Sequence, residues 1–180
     1  MNRQHILTLS IATAAVLIVG SSLVAQDRSL ATSPNGISLA EFNGYDSWRV
    51  IAPSATSSGV KVIVGNATMI KAYNDGAPVN GTLIPDGAMM AKIEWAKKSN
   101  PASPYEVAVP ATLKSLSFMM KDTRRFPDTA GWGYAQFAYD GLSDTFKPFG
   151  DGPTFAKTVC HECHTRVKVR DFVFTTYARR

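Results

Sequence analysis

The sequence predicts an α+β domain, mainly an antiparallel β-sheet of about five strands with a few helices. Three observations lead there. Short segments rich in β-branched and aromatic residues alternate apolar and polar positions. Turn signals such as Asn74-Asp75-Gly76 and Pro85-Asp86-Gly87 separate them. Helical patterning is confined to a few short stretches, the longest near the C-terminus.

Residues 1–25 read as a secretory signal peptide. Arg3 supplies a positive start, Ile6 to Gly20 carries no charge, and Ala25 offers a small residue for cleavage before Gln26 and Asp27. An uncleaved anchor is the other reading, because residues 6–25 are just long enough to span a bilayer. Either way the rest of the chain is expected in the periplasm. What remains has the length of one domain. Residues 26–44 are small and polar, with Ser33-Pro34-Asn35-Gly36, and are expected to form a flexible lead-in. The domain itself is placed at 45–180.

Tyr45 to Trp48 suggests a short helical or turn segment, and Ser54 to Gly59 a loop. Val60 to Val64 is β-branched apart from Lys61 and predicts the first strand. Asn66 can cap a helix over Ala67 to Tyr73. The next strand, Ala88 to Trp95, puts Ala88, Met90, Lys92 and Glu94 on one face and Met89, Ala91, Ile93 and Trp95 on the other. Lys114 to Lys121 predicts a third strand. Gly131 to Tyr139 predicts a fourth, with Trp132, Tyr134 and Gln136 opposite Gly133, Ala135 and Phe137. Gly141 to Pro153 reads as a loop. Thr154 then caps a helix from Phe155 to about Val167, and Asp171 to Tyr177 predicts a last strand.

The net charge is +5, and no long basic run occurs. The Arg124-Arg125 and Arg179-Arg180 pairs lack interleaved aromatics, so nucleic-acid binding is not indicated. A mildly basic surface suits docking to an acidic electron-transfer partner.

The predicted C-terminal helix carries Cys160-His161-Glu162-Cys163-His164. These are the only two cysteines in the chain. C-x-x-C-H is the attachment signal for a c-type haem. Cys160 and Cys163 would form thioethers to the haem vinyl groups, and His164 would bind the iron. A thioredoxin-like redox pair is an alternative, but that motif usually opens a helix after an early strand. Zinc would need further ligands, and outside this run the only histidine is His5. A disulfide closing so small a loop would add little. One covalent haem c is therefore expected. No Met or His follows His164. A sixth iron ligand would have to come from upstream, with Met69, Met89, Met90, Met119 and Met120 as candidates. Met also fills gaps on sheet faces, so each of these is equally at home in a core. Iron with a position left open suits small-ligand binding or chemistry better than pure electron transfer. The strand content argues against a four-helix cytochrome.

These residues resemble the cytochrome P460 and cytochrome c′-beta family. The resemblance covers most of residues 45–178. It rests on Tyr45-Asp46-Ser47-Trp48, Lys61-Val62-Ile63-Val64-Gly65-Asn66 and Pro85-Asp86-Gly87-Ala88-Met89-Met90-Ala91-Lys92. Gly131-Trp132-Gly133, the haem motif and Asp171-Phe172-Val173-Phe174-Thr175 extend it. The resemblance implies a β-rich fold, a homodimer and one haem c. In cytochrome P460 members a lysine is bonded to the porphyrin edge, and Lys92 matches it. Such members oxidise hydroxylamine, releasing nitric oxide or nitrous oxide. The cytochrome c′-beta members lack the link and bind nitric oxide under an apolar, Phe-rich cap.

Lys92 also has a physical argument of its own. If its strand face meets the haem, burial lowers the pKa of the amine and makes it a better nucleophile. The alternative is a wet lysine beside Glu94. Lys61 stands where many members have Arg near the substrate pocket; it keeps the charge and loses the bidentate fork. Met90 and Phe118 are further candidates for a distal or substrate pocket, and Phe137, Phe146, Phe149 and Phe155 for an apolar cap. Hydroxylamine-oxidising members also need a distal carboxylate, for which Asp144 and Asp151 are the loop candidates. Three functions follow: redox chemistry on hydroxylamine or nitric oxide with a periplasmic electron acceptor, non-enzymatic nitric oxide binding or sensing, and plain electron carriage.

Overall fold

The computed structural model describes residues 30–79 and 81–178. The expected signal peptide, 1–25, lies outside the described residues. Six strands form one antiparallel meander, each paired with its neighbours in sequence. They are β1 (Arg49–Thr56), β2 (Gly59–Gly65), β3 (Met89–Ser99), β4 (Ala108–Lys121), β5 (Trp132–Asp140) and β6 (Thr145–Pro148). Helix α1 (Ala67–Asn74) links β2 to β3. A second helical stretch, α2, covers residues 156–170 and tightens along its length. It is π-helical over Ala156–His161, α-helical over Glu162–His164 and 3-10 over Thr165–Arg170. The class is α+β and mostly β, as the alternation predicts.

The two faces of the sheet bury different sets of residues. One packs Ile51, Ile63, Met90, Trp132 and Tyr134 against α1, α2 and the C-terminal tail. The other packs Val64, Ala91, Leu116, Phe118 and Phe137 against Ile37, Leu39 and Phe42. The partition in β3 and β5 follows the period-two reading, with Met90 opposed to Ala91 and Tyr134 to Ala135. Within the 26–44 segment, expected as a flexible lead-in, the described residues include Ile37, Leu39 and Phe42 in the core, and the packed structure begins upstream of Tyr45. Arg125 ties this segment down through Glu41 and the Gly36 carbonyl.

Asn66 caps α1 by accepting from the Met69 amide at 2.9 Å. It also accepts from the Met89 amide and donates to the Gly87 carbonyl, so one side chain joins the helix start to the start of β3. Gly87 sits at φ +83 in the Pro85–Ala88 turn, a conformation glycine adopts without cost. Thr154 does not cap α2 with its side chain; its carbonyl accepts from the Lys157 and Thr158 amides.

Two strands escape the sequence reading. β1 contains Pro53 and buries only Ile51 well, the pattern of an edge strand. It runs through the expected loop as far as Thr56. β6 is a short edge lying within the expected 141–153 loop. Conversely, Asp171 to Tyr177 is not a ladder strand but a turn at Asp171 and Phe172 followed by irregular chain. Its first residues take left-handed angles, φ +46 at Asp171 and +63 at Phe172. Its carbonyls bond to side chains instead: Phe172 O to His164, and Thr175 O to Tyr73 and Arg170.

Candidate functional site

Spacing i, i+3, i+4 places Cys160, Cys163 and His164 on one side of a helix. In the structure all three face a cavity of about 390 Å³ between α2, the tail and the sheet. The size is within the range of cofactor sites. From the sheet come Ile63 of β2, Met90 and Lys92 of β3, Ser117 and Met119 of β4, and Tyr134 and Gln136 of β5. Cys160 and Cys163 form no disulfide with each other.

His164 is half-buried and oriented. Its Nδ1 lies 2.7 Å from the Phe172 carbonyl oxygen, so this nitrogen carries the proton and donates. Nε2 is then the free acceptor, the state a metal ligand needs. The Tyr134 and Phe174 rings flank the imidazole, each with its centroid at 5.0 Å. Burial lowers the His164 pKa, and the charges of Lys92 and His161 act in the same direction, against the Phe172 hydrogen bond. The site therefore favours the neutral ring. His161, the other histidine of the run, turns away and packs between Tyr134 and Phe172.

Lys92 pairs across the sheet with Ile63 on one side and Ser117 on the other. Burial pulls its pKa down and the charge of Lys61 adds to this, while Glu94 and Cys160 oppose it. The strand lysine and the haem motif line the same cavity. Lys61 does not line that cavity. It pairs at 3.4 Å with Glu94, which also holds Lys114 at 3.2 Å. Lys61 thus acts beside the site through its charge.

Of the five methionines, Met90 and Met119 line the cavity. Met69 is buried with α1, while Met89 and Met120 belong to the far face. Phe118 is among the residues bordering the cavity, and its ring stacks on Phe42 at 4.0 Å within the core cluster of the other face. Phe137 and Phe146 also pack there. Phe149 and Phe155 pair with each other beside a small crevice near Cys160. The phenylalanines whose rings pack on the motif's histidines are Phe172, against His161, and Phe174, against His164. Asp144 accepts from the Tyr139 hydroxyl, Asp151 is exposed, and neither lines the cavity.

The residues that sequence reasoning missed are Ser117, Tyr134, Gln136 and Phe174. A polar residue between Leu116 and Phe118 was a visible signal for Ser117. Among the described residues its Oγ is buried and has no hydrogen-bond partner. A buried hydroxyl left unpaired marks a place where another group belongs. That orphan, the cavity and the Cys/Cys/His donor set all fit a haem. Among the described residues no group of three or more His, Cys, Asp or Glu side chains is placed to hold a metal ion.

The family model for Cytochrome P460 matches residues 42–175. The chain belongs to the cytochrome P460 family. It is therefore a c-type haem protein. The match spans β1 to the tail, and so includes both Lys92 and the Cys160–His164 motif that the cytochrome P460 fold brings together here. No curated protein matches the chain.

Proposed function

We propose that this cytochrome P460 member is a periplasmic redox enzyme acting on small nitrogen compounds, with hydroxylamine as substrate. Cys160 and Cys163 would hold one haem covalently, and His164 would bind its iron. Such a haem would supply one-electron redox chemistry. The observation that carries the reading is the half-buried Lys92, whose amine shares the cavity with the haem motif. Its lowered pKa favours the neutral, nucleophilic amine and suits a bond to the porphyrin edge. Polar groups at Lys92, Ser117 and Gln136 on the sheet side suit a small hydrogen-bonding substrate better than a bare apolar gas.

Oxidation of hydroxylamine to nitric oxide releases protons and electrons in equal number. Glu94 lies two residues along the same strand face but outside the cavity lining, and its ion pairs with Lys61 and Lys114 hold its pKa down, so the protons leave the cavity to solvent. The electrons go to a separate periplasmic acceptor, for which the net positive charge suits an acidic partner. The protein works as a homodimer, which light scattering would read as twice the chain mass.

The test is anaerobic incubation of the holoprotein with hydroxylamine and an electron-accepting dye. Dye reduction with release of nitric oxide or nitrous oxide is expected. Lys92→Ala should keep its haem and lose that turnover by at least tenfold (about 1.4 kcal/mol in the barrier). Nitric oxide binding without turnover in the unaltered protein contradicts the proposal. A second reading, plain electron carriage, draws on Met90 and Met119 lining the cavity, since either could supply a sixth ligand.

A further inference from the structure

Immediately after α2 the chain makes a turn that side chains resist. Asp171 and Phe172 both have positive φ, +46 and +63. Aspartate tolerates this region, but a bulky Phe does not, and such a residue persists only where its surroundings over-determine it. The turn has a consequence at the site: it aims the Phe172 carbonyl at His164 Nδ1. Backbone bonds from Asp171, Phe172 and Val173 to Lys168, Val167 and Arg170 close the end of α2. They do not tie the turn to the sheet.

The Asp171 carboxylate does. Its Oδ1 accepts from Lys121 Nζ at 2.8 Å and from Trp132 Nε1 at 3.3 Å. Its Oδ2 accepts from the Ile84 amide at 2.8 Å and again from Lys121 at 3.0 Å. Lys121 also donates to the Ala130 carbonyl and lies over the Trp132 ring. The two charged side chains are 4% and 2% exposed. A buried ion pair is seldom the most stable filling for a core, so its presence beneath a strained turn calls for a reason beyond stability.

We infer that the Lys121–Asp171 pair is the positioning device of the axial histidine: it clamps the left-handed turn to β4, and so fixes the carbonyl that orients and polarises His164. Lys121 and Asp171 touch neither haem nor substrate and act through Phe172 O. A firm Nδ1–H···O bond raises the donor strength of the other ring nitrogen toward iron. The inference rests on His164 being the axial ligand.

Two variants of the holoprotein test it. Asp171→Asn keeps a residue that accepts left-handed angles and removes the charge. The pair Lys121→Met/Asp171→Asn removes both charges, so that no unpaired buried ion is left to unfold the protein. Resonance Raman of the ferrous protein reads the iron–histidine stretch, and a redox titration reads the midpoint potential. The expected result in the folded variants is a lower or broadened stretch and a higher potential, because a loosened imidazole donates less to iron. An unchanged stretch and potential in the double variant, with only the melting temperature lowered, overturns the inference. A wild-type ferrous protein that is five-coordinate and high-spin yet lacks any iron–histidine stretch refutes the axial assignment of His164 instead, and is told apart because it needs no variant.

Discussion

Lys92 is the side chain on which the chemistry turns. Burial and Lys61 hold its pKa below 10.5. The folded, unlinked chain therefore holds fewer protons at Lys92 than the unfolded chain between the lowered value and 10.5. In that window stability rises with pH, and below the lowered value the full penalty of a buried charge is present. Haem-free protein, made as Cys160→Ser/Cys163→Ser, should gain urea resistance as the pH climbs toward 10.5, and adding Lys92→Met should flatten that slope. At this scale the sequence was readable where chemistry is local. C-x-x-C-H needs only adjacent residues on one helix face. The alternation Met90, Lys92, Glu94 also held. Alternation sorts side chains into two faces without saying which face meets the site; the register that sets Phe118 opposite Ala91 and Ser117 opposite Lys92 is a long-range fact.

At the scale of elements, the haem-bearing stretch and the lysine strand are positioned by different devices. β3 starts where Asn66 pins it, through bonds to Met69, Met89 and Gly87. Asn66→Ala should cost about 1–2 kcal/mol for the lost cap, near the top of that range because two sheet-side bonds go with it. For a chain this size that lowers the melting temperature by about 2–8 °C, read by circular dichroism. α2 instead depends on the tail that follows it, with Phe172 and Phe174 against its imidazoles. The tail looked like a strand because Phe172, Val173 and Phe174 alternate, and only Val173 enters the core. What turned it into an irregular strap was the competition for its carbonyls by His164, Tyr73 and Arg170, which no local pattern reveals. β1 and β6 were hidden for the opposite reason: edge strands carry Pro and polar residues by design, and so read as loops.

For the whole molecule, the meander brings Lys92 and the motif into one cavity although about half the length of the folded domain separates them in sequence. The α+β class was legible from turn signals and strand patterning; the cavity was not, since it lies between layers. A cavity of about 390 Å³ left empty forfeits packing on both walls. Holoprotein should therefore melt well above the Cys160→Ser/Cys163→Ser protein. A difference of several kcal/mol corresponds to about 10 °C, at 2–4 °C per kcal/mol. Equal melting temperatures would mean that the haem does not complete this core.

The most direct measurement of the central claim, a haem held by Cys160, Cys163 and His164 with Lys92 at its edge and an open iron, is the optical spectrum of the ferrous protein. The account predicts a five-coordinate, high-spin spectrum whose Soret band is strongly red-shifted and returns to an ordinary position in Lys92→Ala. A six-coordinate, low-spin spectrum that Lys92→Ala leaves unchanged would contradict it.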